Sequence, residues 1–214
     1  MKNLLLEICK CDEVGKAISD CAHPCNKIVC SQNDLGITDF QLPEPWNGHI
    51  DTADILFISS NPSIDPNENY PTASWNDEDI ISFFEDRFDN TPKNQWSTYW
   101  RTILKWAGWI FPNIGFDKIA ITEIVHCKSK SEFGVTPLCQ KTCFNNWLRK
   151  ILKIFKGKYI VAVGSKAKEY ILSHLDEEFI DGKKFAFTEP PRRPVKGLTD
   201  EVRKQQILTQ LGLI

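Results

Sequence analysis

The chain has 214 residues, is 42% hydrophobic and carries a formal net charge of −2. That length and apolar content suffice for a sizeable core in one domain, and the near-neutral balance excludes a protein drawn to nucleic acid by overall basicity, although a local basic patch stays open. No apolar run approaches the ~20 residues of a membrane span, and the opening Met-Lys-Asn-Leu-Leu-Leu-Glu meets an acid too early for a secretory leader, so a cytoplasmic protein with no membrane partner is expected.

The 8 cysteines fall in two groups: Cys9, Cys11, Cys21, Cys25 and Cys30, then Cys127, Cys139 and Cys143. In a reducing compartment such grouping argues against a disulfide framework and for metal binding or burial.

In chain order, apolar residues at near-helical spacing (Leu4, Ile8, Cys11, Val14, Ile18) predict a helix over 3–20 that delivers Cys21 at its end. Residues 1–30 are thus an N-terminal helix and a cysteine-bearing arm. Residues 31–52, with Pro43, Pro45 and Gly48, read as loop. A continuous apolar run at 54–60 predicts a buried strand that ends in the turn Asn61-Pro62. Asn76 can cap a helix to residue 88, with the acidic run 76–79 complementing its dipole. A helix follows Ser97 to Gly108, and 118–125 is the next strand. Thr136-Pro137 opens a long helix that stops at Gly157. The strand over 158–164 is the clearest in the chain, with Ser165 capping the helix after it. A last strand over 184–188 and a C-terminal helix from Thr199 to before Gly212 complete the pattern.

Alternating strands and helices predict a three-layer α/β/α fold in a single domain over 1–214, with a central, mostly parallel sheet of about four strands. Ligands in such sheets bind beyond the carboxyl ends of the strands, here Ser59–Asp65, Glu123–Cys127, Gly164–Lys166 and Thr188–Arg193. Lys128, Lys130, Arg192, Arg193 and Lys196 gather positive charge at those ends.

Several of these segments carry a resemblance. The turn Ser59-Ser-Asn-Pro-Ser63 after its strand resembles the Gly-x-x-Pro-Gly turn of the uracil-DNA glycosylase superfamily, with Asn61-Pro62 nearest the mismatch-specific branch. Ile121-Thr-Glu-Ile-Val-His-Cys127, its spacing to Cys143, and Tyr159-Ile-Val-Ala-Val-Gly-Ser-Lys-Ala167 are similar to successive segments of the iron–sulfur branch. The likeness runs from about Cys21 to the C-terminus.

The resemblance implies a 4Fe-4S cluster on Cys21, Cys25, Cys127 and Cys143, with Cys30 a substitute for either of the first two. A zinc site using His23 or His126, or cysteines that are simply buried, are the alternatives. It also implies hydrolysis of the N-glycosidic bond of a base flipped from single- or double-stranded DNA by a monomeric enzyme. Asn61 would position water and Asp65 act as general base, while Tyr70 or Trp75 stacks on the base. As turn residues and core aromatics, the same side chains have an equally ordinary explanation.

The chain departs from the family's pattern in two places, the first of which counts against uracil. Glu123 stands where these enzymes carry an Asn, and an ionised Glu only accepts hydrogen bonds, which suits a base edge offering two donors. The usual His-Pro-Ser motif is replaced by Thr188-Glu-Pro-Pro-Arg-Arg-Pro194. There Arg192 and Arg193 can contact phosphates, together with Lys196 and with Ser165 at its helix start. A non-catalytic nucleic-acid-binding or redox-sensing iron–sulfur protein on the same fold is the second expectation.

Overall fold

A computed structural model describes residues 1–92, 95–174, 180–191 and 196–214. The chain forms two compact units interleaved in sequence: unit 1 comprises Met1–Trp46, Ser60–Glu85 and Thr122–Lys150, and unit 2 comprises Asn47–Ser59, Asp86–Ile121 and Ile151–Ile214.

Unit 2 is built on a 5-stranded sheet in the order β1-β3-β2-β4-β5, with β1 at Asn47–Gly48, β2 at Ile55–Ser59, β3 at Ile119–Glu123, β4 at Tyr159–Val163 and β5 at Lys184–Thr188. β3 ends two residues inside unit 1. Strand β2 pairs with β4 and β4 with β5 in parallel, in the registers Ile55↔Tyr159 and Tyr159↔Lys184, whereas β1 runs antiparallel to β3. The sheet is therefore mixed but mostly parallel. Its fifth strand falls within the loop expected at 31–52, where two residues leave no periodicity to read.

Side chains alternate across the strands, so one face of the sheet carries Ile55, Phe57, Val161, Val163 and Ala186. Against them pack Ile103, Trp106, Ala107 and Ile110 of α5 (Thr98–Ile110) and Ile207 of α9 (Asp200–Gln210), with Leu211 just beyond its end. The residues between them, Leu56, Ile58, Ile160 and Ala162, are also buried, and the opposite face is met by α8 (Ser165–Leu172) through its buried Ala167 and Ile171. Two covered faces make the three-layer α/β arrangement expected of such continuous apolar strands. Arg203 fastens the β5 exit: its guanidinium lies over the Trp106 ring and donates to Thr188 Oγ1 at 2.9 Å and to the Glu189 carbonyl.

Unit 1 is assembled from α1 (Lys2–Cys9), α2 (Asp12–Ser19), α3 (Asn26–Cys30), the first turns of α4 (Asp77–Asn90) and α6 (Pro137–Cys143). The expected single helix over 3–20 is two helices, because Lys10 and Cys11 leave helical geometry and Asp12 and Glu13 start a new first turn. That break resets the phase, so Leu5, Ile8, Cys9 and Ala17 are buried while Ile18 is exposed. Asn76 Oδ1 accepts from Asp79 N at 2.9 Å, and Ser97, Thr136 and Thr199 cap as expected. At α8 the cap residue is Gly164, with φ 94°, and Ser165 is the first helical residue. The long helix from Pro137 passes through one π turn at Phe144–Leu148 before α7 (Arg149–Ile154).

Candidate functional site

Five of the eight thiols lie around the junction of α3 with α6 in unit 1. Cys25, the residue before α3, and Cys139, in the first turn of α6, bring their sulfurs to 3.6 Å. Thr136, the α6 cap, accepts from Cys139 N at 3.2 Å and so fixes that turn. Cys143 lies one turn further on, and a cavity lined by Cys11, Cys25, Cys127 and Cys143 holds about 10 Å³ of free space, on the order of one water. Trp147 Nε1 donates to Cys11 Sγ at 3.2 Å.

The electrostatics of these thiols diverge. Hydrogen bonds from Cys139 and then Cys143 pull the Cys25 pKa down to about 4, against the opposing effect of burial. Burial pushes the Cys127 and Cys11 thiols up. Cys143, which gives its proton toward Cys139 and Cys25, is likewise raised. Close by, Cys25 N donates to His23 Nδ1 at 3.2 Å, so His23 carries its proton on Nε2 and directs it to Glu13 at 2.9 Å.

This arrangement corrects the expected cofactor. Among the described residues, no group of three or more His, Cys, Asp or Glu is disposed to hold a metal ion. Cys21 is exposed beyond the end of α2, and Cys30 receives a hydrogen bond from Asn26 Nδ2 at 3.3 Å. Cys127 and Cys143 are buried. The 4Fe-4S cluster on Cys21, Cys25, Cys127 and Cys143 is overturned, and so is the zinc alternative. Cys139, outside the expected ligand set, is the residue that approaches Cys25.

The second locus is the exit of β2 and β3 in unit 1, which holds most of the residues expected at a base pocket. Asn61 Nδ2 donates to Ser129 Oγ and to the Pro62 carbonyl, both at 3.0 Å, and reaches the Cys127 carbonyl at 3.4 Å, so its amide nitrogen ties the two exits together. Asp65 is exposed and its carboxylate accepts from Asn67 N at 2.9 Å, an Asx turn. Tyr70 is 2% exposed, meets Phe83 and Phe84 edge to face, and donates to Glu44 Oε2 at 3.1 Å. Its ring face is covered by Lys128 Nζ at 3.4 Å from the centroid. Trp75 is half-buried, edge-on to Phe83, and lines an open hollow with Ser74, Asn76 and Asp79.

Glu123 is buried at the end of β3. Lys128 is buried too and pairs with Glu68 at 2.8 Å, so its charge is spent inside the unit rather than offered to a phosphate. His126 donates from Nδ1 to the Glu44 carbonyl at 2.7 Å, which leaves Nε2 as an enclosed acceptor with no hydrogen-bond partner among the described residues. Burial lowers its pKa to about 4, keeping the ring neutral.

Of the expected DNA contacts, Ser165 and Lys196 are exposed in unit 2, whereas Arg192 and Arg193 lie outside the described residues. No helix among the described residues is long and apolar enough to cross a membrane.

The chain matches no protein-family model, and no curated protein matches it. With the metal-holding group missing among the described residues as well, the expected iron–sulfur DNA-repair hydrolase is withdrawn, and so is its non-catalytic iron–sulfur alternative.

Proposed function

We propose that the chain is a nucleic-acid-binding protein, with DNA as its partner, and that unit 2 makes the contact. The observation that carries this reading is the partition of charge between the units. Unit 2 holds seventeen Lys and Arg against thirteen Asp and Glu, while unit 1 holds nine against fifteen. A net charge of −2 therefore hides a basic unit able to attract a polyanion.

Within unit 2 the start of α8 supports the same reading. Its first backbone N–H groups point out of the helix, beside exposed Ser165, half-exposed Lys166 and exposed Lys168. That end combines the first backbone N–H donors of the helix, its positive pole and ammonium groups, which is the chemistry a phosphate seeks. Exposed Lys196 adds a further cation. Contacts of this kind fix a backbone in place without reading its bases, so weak sequence preference is expected.

Fluorescence anisotropy with unmodified single- and double-stranded oligonucleotides tests the reading. Binding should weaken steeply with salt, and the double reversal Lys166→Glu/Lys168→Glu should cost roughly tenfold or more at moderate ionic strength. Reversal of Lys16, exposed in unit 1, should leave affinity unchanged. Salt-independent binding, or equal affinity in all three proteins, would overturn it.

A further inference from the structure

The structure assigns a redox modification site in unit 1: Cys25 and Cys139 close a reversible disulfide when a hydroperoxide oxidises one of them. The two sulfurs are already 3.6 Å apart although they come from residues 114 positions apart in the chain. A disulfide measures about 2.05 Å, so the sulfurs need approach by only about 1.5 Å in total, within the reach of side-chain rotation at two helix starts. Both residues are anchored there, Cys25 by its N–H on His23 and Cys139 by its N–H on Thr136.

Cys25 is the sulfur that accepts hydrogen bonds from its neighbours, and a water-sized cavity opens against it. Both features favour attack by Cys25 on a small oxidant. Its sulfur attacks one oxygen of the hydroperoxide, the O–O bond breaks, and the other oxygen leaves as an alcohol, or as water from hydrogen peroxide, after taking a proton from solvent. Cys25 is now a sulfenic acid. The Cys139 sulfur, giving up its proton, attacks the Cys25 sulfur; the S–O bond breaks, water leaves and the S–S bond forms. The hydroperoxide is reduced by two electrons and the two thiols are oxidised by two. A small dithiol reverses the reaction by exchange through a mixed disulfide.

The test uses the full chain, purified under reductant, treated with hydrogen peroxide, alkylated, digested and mapped by mass spectrometry. The expected result is a linked peptide pair containing Cys25 and Cys139, a mass loss of two hydrogens and recovery on treatment with dithiothreitol. Cys139→Ser should abolish the link and Cys143→Ser should retain it. A wild-type map without an intramolecular link, or with Cys139 joined to Cys143, would overturn the assignment, and that map decides even if a variant fails to fold.

Discussion

His126 shows how one enclosed ring sets an acid limit on stability. Its pKa is about 4 in the folded chain, below the usual ~6.5 of histidine. Between these values the unfolded chain binds the proton and the folded one does not, so stability falls as pH drops through that window. The loss approaches about 3 kcal/mol near pH 4. Urea unfolding followed by circular dichroism from pH 7 to pH 4 should show this slope, and His126→Gln, which keeps a donor for the Glu44 carbonyl, should flatten it. Lys128 carries a different cost. It is 1% exposed, paired with Glu68 and laid on the Tyr70 ring, and Lys128→Ala should destabilise by about 3 kcal/mol in the same assay. Neither role was legible in the sequence, where Lys128 read as a surface cation, although the reading of Tyr70 as a core aromatic agrees with its burial. A lysine's burial depends on partners that come from residues 60 positions away, and local spacing does not encode that.

At the scale of elements, most capping and strand signals were legible because their causes are local, the cap of α8 and the two-residue β1 being the exceptions. Thr136-Pro137 and Thr199 open α6 and α9 as their chemistry requires. Thr136→Ala should cost about 1 kcal/mol in thermal or urea unfolding, and it removes the acceptor that holds Cys139 N. Gly134 is a position where backbone geometry decides. Its φ is 77°, and a Cβ there would come within 2.4 Å of the Ile28 nitrogen, so Gly134→Ala should destabilise by about 2 kcal/mol or more. The break between α1 and α2 and the π turn at Phe144–Leu148 were not legible. Each shifts the phase of an otherwise helical pattern by a fraction of a turn, and tertiary packing selects that shift.

For the whole molecule, the sequence carried the α/β alternation but hid the partition of charge, because the two units interleave along the chain. Summation over 214 residues cancels what assembly separates. If Lys166, Lys168 and Lys196 each neutralise one phosphate of a duplex, the slope of log affinity against log salt should be about −3. A titration across several ionic strengths measures it. Interleaving has a further consequence for how unit 2 comes into being. Its core joins Ile55 and Phe57 near one end of the chain to Ile207 and Leu211 near the other, and Arg203 secures the exit of β5 from the last helix. During synthesis the early strands leave the ribosome long before α9 exists, so the part of their apolar face that α9 covers stays exposed in that interval, when a chaperone would find its client.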